Sequence, residues 1–154
     1  MRVNVPSVAP QFLRSRIGKI CVAIIGSTAA EMLEKATAVV KETTFLEFRL
    51  DYLEKPLLAM PKLKHFLAEN NAVTAIATCR RTANGGKFSG NVAVEIEILS
   101  KAAAAGFLIV DVELESATAM KVVGCQDCCV CITEFFSVPS AKMQDFHFAR
   151  SSIV

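Results

Sequence analysis

Phe45-Leu46-Glu47-Phe48-Arg49-Leu50-Asp51 alternates apolar and charged side chains at the two-residue period of a β-strand. That spacing puts Glu47, Arg49 and Asp51 on one face and Leu46, Phe48 and Leu50 on the other. What the charged face means depends on the company the strand keeps. In an antiparallel sheet it would lie in water; in an array of alternating strands and helices the apolar face packs on helices. The charged face then points to the other side of the sheet, where charges are costly unless paired or used. Three further runs of strand formers flank this one, at residues 20–25, 73–79 and 107–114. Between them lie helical patterns. Gly26-Ser27-Thr28 leads into Ala29, Ala30, Met32, Leu33, Ala36, Val39 and Val40 at three- and four-residue spacing, with Ser27 or Thr28 as the N-cap. Leu57, Leu58, Leu63, Phe66 and Leu67 line a second helix, and residues 92–105 form a third that stops at Gly106. The order is βαβαβαβ, which predicts a parallel sheet with helices outside it.

Strand starts lie roughly 25 to 35 residues apart, the size of one βα unit, so 154 residues hold about five such units. A closed eight-stranded barrel of this type usually needs roughly 250 residues. Spacing alone is therefore compatible with a small open α/β sheet or with part of a barrel. Hydrophobic residues make up 53% of the chain and charged ones 21%, which predicts one domain with a real core and excludes a disordered chain. A formal net charge of +2, from scattered basic residues, is no electrostatic footprint for DNA or RNA. The apolar run at 20–25 is far short of the roughly 20 residues that span a bilayer. Arg2, Arg14, Arg16 and Lys19 ahead of it do not make a signal peptide, because no small-residue cleavage site follows. Six cysteines in an apolar chain of this length read as reduced thiols, and a cytoplasmic protein is expected.

The alternation seen at 45–51 recurs. Thr74, Ile76, Thr78 and Arg80 share one face of the third strand, with Arg81 next, and Asp111, Glu113 and Glu115 alternate with aliphatic residues in the fourth. Three successive strands thus carry acids or arginines toward their C-terminal ends, where parallel sheets and barrels build ligand sites. Arg49 and Arg80 offer forked donors to a carboxylate or to hydroxyls, and Glu47 can accept from a hydroxyl or hold an arginine. A small, oxygen-rich anion fits such a face; a solvated strand face or an internal ion pair is the plainer alternative. Asn84-Gly85-Gly86-Lys87-Phe88-Ser89-Gly90 lacks the phosphate-loop spacing and reads either as a lid over the site or as a turn before the third helix.

Taken together, Lys19-Ile20-Cys21-Val22-Ala23, Phe45 to Asp51, Thr78-Cys79-Arg80-Arg81 with Gly85-Gly86, and Val110-Asp111-Val112-Glu113-Leu114 resemble type I 3-dehydroquinate dehydratase in order and spacing. The resemblance runs from about Lys19 to Lys121. It implies a (β/α)8 TIM-barrel type of α/β fold, here incomplete, with about four to five βα units. It also implies a hydro-lyase of the shikimate pathway of aromatic amino acid biosynthesis, converting 3-dehydroquinate to 3-dehydroshikimate with no metal and no cofactor. In that family a lysine forms a Schiff base with the ketone, and a histidine removes the neighbouring proton before the hydroxyl leaves. Carried over by position, the resemblance makes Glu47, Arg49 and Arg80 substrate-binding residues. Asp51, Asp111 and Glu113 would orient the arginines.

Elsewhere the sequence departs from the family pattern. Ala23 stands where some members carry a substrate-binding serine. The family's fifth strand ends in Ser-x-His-Asp-Phe, and the corresponding place, Cys131-Ile132-Thr133-Glu134-Phe135-Phe136, has no histidine. His147 does not reproduce that motif, His65 falls in the second helix, and Lys142 comes too early for the sixth-strand lysine, so no residue is assigned a catalytic role. The expected organisation is an N-terminal extension at 1–18, the N-terminal half of a dehydratase barrel at 19–121, and a divergent or out-of-frame tail at 122–154. This polypeptide is accordingly expected to bind one side of a substrate and to be inactive alone. Two other readings stand beside it: a non-catalytic half-barrel associating through exposed sheet edges, as a homodimer or otherwise, and a metal-binding or interaction protein using Cys125, Cys128, Cys129 and Cys131.

Overall fold

The computed structural model describes residues 15–117 and the strand Cys129–Thr133. Leu46 and Phe48 are completely buried, whereas Glu47 and Arg49, which alternate with them, are half-buried. The alternation of the central segment has therefore become two unlike faces of a sheet. Five strands form it: β1 (Val22–Ile24), β2 (Phe45–Arg49), β3 (Thr74–Thr78), β4 (Ile109–Glu113) and β5 (Cys129–Thr133). All neighbours are parallel and the spatial order is the chain order, β1-β2-β3-β4-β5. A doubly wound sheet reverses its strand order at a switch point; this one never does, which is the winding of a (β/α) barrel.

Helices α1 (Ala29–Val39), α2 (Pro56–Glu69) and α3 (Val92–Ala104) return the chain between strands, and a single turn, α4 (Leu114–Ala117), follows β4. One apolar cluster joins them to the sheet: Ile24, Leu46, Phe48, Ala75, Ala77, Val110 and Val112 from the strands meet Met32, Leu63, Phe66 and Leu99 from the helices. Phe48 is its hub, with edge-on contacts to Phe66 at 6.1 Å and Phe107 at 5.4 Å between ring centroids. All three long helices therefore cover the same face. The opposite face carries Glu47 and Arg49, paired in register with Ile76 and Thr78 on β3, and Thr78 is in turn paired with Asp111 on β4.

The helix ends follow local chemistry. Thr28 caps α1, its hydroxyl accepting from the Glu31 N–H at 3.2 Å. Glu31 accepts from the Ser27 N–H at 2.8 Å and from Lys35 at 2.6 Å, contacts that hold its carboxyl down to about pKa 2. Asn91 caps α3, and Gly106 follows its C-cap at φ 105°, a left-handed conformation glycine adopts freely.

Several expected details need correction. Leu57 and Leu58 do not line the core; Leu58 is 73% exposed. The buried stripe of α2 is Ala59, Met60, Leu63, Phe66 and Leu67, and positions 57 and 58 fall out of phase with it at 3.6 residues per turn. β1 is shorter than 20–25, leaving Ile20 exposed, and β4 starts at Ile109 because the chain is still leaving the Gly106 turn at Phe107. Leu114, expected to end that strand, opens α4 instead.

Candidate active site

The polar face converges at the C-terminal ends of β2, β3 and β4. Arg49 is the last residue of β2, and the chain then turns through a short 3-10 helix, Leu50–Tyr52. Asp51 was expected to continue the strand's charged face. It lies in this turn instead, with Leu50 still buried on the apolar side. The Asp51 carboxylate is thereby brought under the Arg49 fork: Nε donates to Oδ1 at 2.9 Å and Nη2 to Oδ2 at 2.8 Å. With the carboxylate fully buried, and the Tyr52 ring 5.1 Å from the guanidinium carbon, the plane of Arg49 is fixed. The Asp51 hydrogen bonds raise the Arg49 pKa further above its already high value.

Glu47 is held from the neighbouring strand, accepting the Thr78 hydroxyl at 2.8 Å. Arg80, just beyond β3, donates from Nη2 to Asp111 Oδ2 at 2.7 Å. Arg81 takes Glu113: its backbone N–H donates to Oε1 at 2.9 Å and its Nε to Oε2 at 2.6 Å. Each arginine thus has one carboxylate as its main partner, Asp51, Asp111 and Glu113 respectively.

The glycine-rich segment is an anchored turn, the plainer of its two readings. Thr82–Asn84 forms a 3-10 turn closed by Gly85 at φ 79°, and the returning segment bonds back, with the Phe88 N–H on the Arg80 carbonyl at 3.0 Å and the Thr82 N–H on the Phe88 carbonyl at 2.9 Å. Gly86 passes so close that a Cβ there would overlap the Arg80 carbonyl oxygen, so only glycine fits. The Lys87 N–H donates to Asp51 Oδ2 at 3.0 Å. One carboxylate therefore fastens both Arg49 and the loop.

Glu95 escaped the sequence reading. It is fully buried on α3, accepts the Ser116 hydroxyl at 2.8 Å, and lies 3.2 Å from Arg81 Nε. The signal was present, since positions 95, 98, 99 and 102 form one helical stripe and the other three are core residues. Burial raises the Glu95 pKa above its ordinary 4.5, outweighing Arg81, which is shared with Glu113 and Glu115. A raised folded pKa means that ionising Glu95 costs more in the folded than in the unfolded chain, so stability falls as pH climbs through that interval. The urea midpoints of the chain and of Glu95→Gln are expected to coincide below the ordinary carboxylate pKa. Above it they should diverge in favour of the variant; a pH-independent gap would contradict this.

Other candidates are placed less centrally. His65 is exposed on α2, 3.3 Å from Glu69. Cys79 is buried on the helix-facing side, its thiol pKa pushed far up by burial, which leaves it a core residue. Cys129 and Cys131 stand on β5 opposite Ile109 and Asp111; Cys125, Cys128, Lys142 and His147 lie outside the described residues. Among the described residues no group of three His, Cys, Asp or Glu is disposed to hold a metal ion, and no helix is long and apolar enough to cross a membrane.

The model of the family described as type I 3-dehydroquinase matches residues 20–126, more than half of the chain. The chain belongs to the type I 3-dehydroquinase family. A 3-dehydroquinate dehydratase of Coxiella burnetii is 34% identical over 104 residues, covering 68% of this chain and 43% of the relative. One of Dehalococcoides mccartyi is 35% identical over 116 residues, covering 71% and 44%. Among solved structures, the type I 3-dehydroquinate dehydratase of Clostridium difficile superposes with a TM-score of 0.66 at 21% identity, over 74% of this chain and 49% of that one. The enzyme from Geobacillus kaustophilus gives 0.63 at 18% identity, over 73% and 48%. The chain thus spans a little under half the length of the relatives it matches, and the barrel winding of its sheet is that of the type I 3-dehydroquinases. Within the 3-dehydroquinase frame, Ala23 lies on β1 in register with Glu47, and β5 ends at Thr133, followed in sequence by Glu134.

Proposed function

We propose that this chain binds 3-dehydroquinate through Arg49, Arg80 and Glu47, as the substrate-binding side of a 3-dehydroquinate dehydratase. Family membership supports the ligand. The observation that carries the reading is that Arg49 and Arg80 are each fixed by a carboxylate, Asp51 and Asp111, at the C-terminal ends of adjacent strands. A guanidinium has five N–H donors; Arg49 places two of them on Asp51, which sets the plane in which the rest meet an incoming carboxylate or hydroxyl. Glu47, held by Thr78, is suited to accept from a substrate hydroxyl. Orienting donors before the ligand arrives lowers the entropy cost of binding.

In the dehydration itself, an imine to lysine would provide the electron sink and a histidine the proton transfer. The sequence that follows β5, Glu134-Phe135-Phe136, offers no histidine for that step. The polypeptide of 154 residues is therefore expected to bind without turning over. Incubation with 3-dehydroquinate and borohydride, followed by intact mass measurement, should leave the protein mass unchanged, and the absorbance of the enone product should not appear. A reduced substrate adduct, or product formation at enzyme levels, would refute the inactive reading. A cytoplasmic location, and association of copies through the sheet edges, belong to the same proposal; size-exclusion chromatography reads the second.

A further inference from the structure

Arg80 and Arg81 are adjacent yet serve different surroundings. Arg80 meets Asp111, while Arg81 sits among three carboxylates from three elements: Glu113 of β4 at 2.6 Å, Glu95 of α3 at 3.2 Å and Glu115 of α4 at 3.9 Å. Glu95 is fully buried, and its Oε1 has no hydrogen-bond partner among the described residues. A cluster that buries two of its carboxylates, Glu95 and Glu113, is a poor device for stability, since apolar residues of like volume usually serve as well or better. Its geometry suggests another use. The peptide joining Arg80 to Arg81 is held at both polar atoms: the Arg80 carbonyl accepts from the Phe88 N–H at 3.0 Å, and the Arg81 N–H donates to Glu113 Oε1 at 2.9 Å. The second oxygen of Glu113 is occupied by the Arg81 side chain, and Glu95, fixed by Ser116, closes the other side of that side chain. Rotating this peptide would break the loop bond and the Glu113 bond together. It would also swing the Arg80 backbone away from Asp111.

We propose that Arg81 is a positioning residue for Arg80, acting through Glu113 and Glu95 to lock the peptide from which the Arg80 side chain departs. The inference rests on the reading that Arg80 contacts 3-dehydroquinate. It assigns to a second arginine, without ligand contact, part of the affinity of the first. Displacements of a fraction of an ångström in the support of a binding group typically cost about tenfold or more.

A double-mutant cycle on the full chain tests it, with 3-dehydroquinate as the titrant and folding checked by circular dichroism. Arg81→Gln is expected to weaken binding about tenfold. In the Arg80→Ala background the same change should add nothing. Should Arg81→Gln fail to fold, Arg81→Lys keeps the charge among the carboxylates; its single ammonium cannot reproduce the fork, so a comparable loss is expected. Wild-type binding by both variants, or a loss that persists undiminished without Arg80, would overturn the positioning role. If Arg80→Ala itself binds as the wild type does, the contact assigned to Arg80 fails first and the positioning role falls with it, a pattern distinct from either of those.

Discussion

Asp51→Ala is expected to destabilise the fold by about 3 kcal/mol in urea unfolding and to remove measurable 3-dehydroquinate binding. The size follows from what the substitution strands. The carboxylate is fully buried and takes two donors from Arg49 and one from the Lys87 backbone, so its loss leaves a largely buried guanidinium and a loop N–H without their acceptor. The fifth of the Arg49 side chain that remains exposed tempers the penalty, which is why the figure sits at the low end for broken buried pairs. Removing both partners should be less harmful to stability than removing one. Arg49→Ala with Asp51→Ala is expected to recover part of the loss while still failing to bind; a double variant less stable than Asp51→Ala would contradict the pairing.

Phe48→Ala is expected to cost about 4 kcal/mol, the largest single effect on stability. The ring is completely buried at the centre of the sheet's apolar face and touches both Phe66 of α2 and Phe107 ahead of β4 edge-on. Segments distant in the sequence meet on it, so a cavity there cannot be closed by a local shift. Phe48→Leu, which keeps most of the volume, should lose much less. An alanine variant within about 1 kcal/mol of the parent would mean that the core is not organised around this residue.

These two residues also mark what could be read from the sequence. They lie three apart on one segment, and its alternation separates Phe48 from Arg49 with no structural information at all. The strands, the three long helices and the convergence of Arg49, Arg80 and their acids follow from periodicity and from where each strand ends. Periodicity cannot say where a strand stops, however. Asp51 continues the pattern on paper but has left the strand in space, in the 3-10 turn that follows Arg49. Leu57 and Leu58 misled for a related reason: a run of leucines looks apolar in any phase, and only packing against the sheet selects Met60 and Leu63. Glu95 was legible in principle from its spacing to Ile98, Leu99 and Ala102, but a glutamate on a helix reads by default as solvated. The choice between an open sheet and a barrel winding needed the strand order, which no local signal contains.

The most direct test of the binding face is a titration of the isotope-labelled chain with 3-dehydroquinate, followed through the arginine Nε–Hε signals. Saturable shifts centred on Arg49 and Arg80, with the Arg16 signal unmoved, are the expected result. Unchanged Arg49 and Arg80 signals at millimolar ligand would contradict a substrate-binding role for this face.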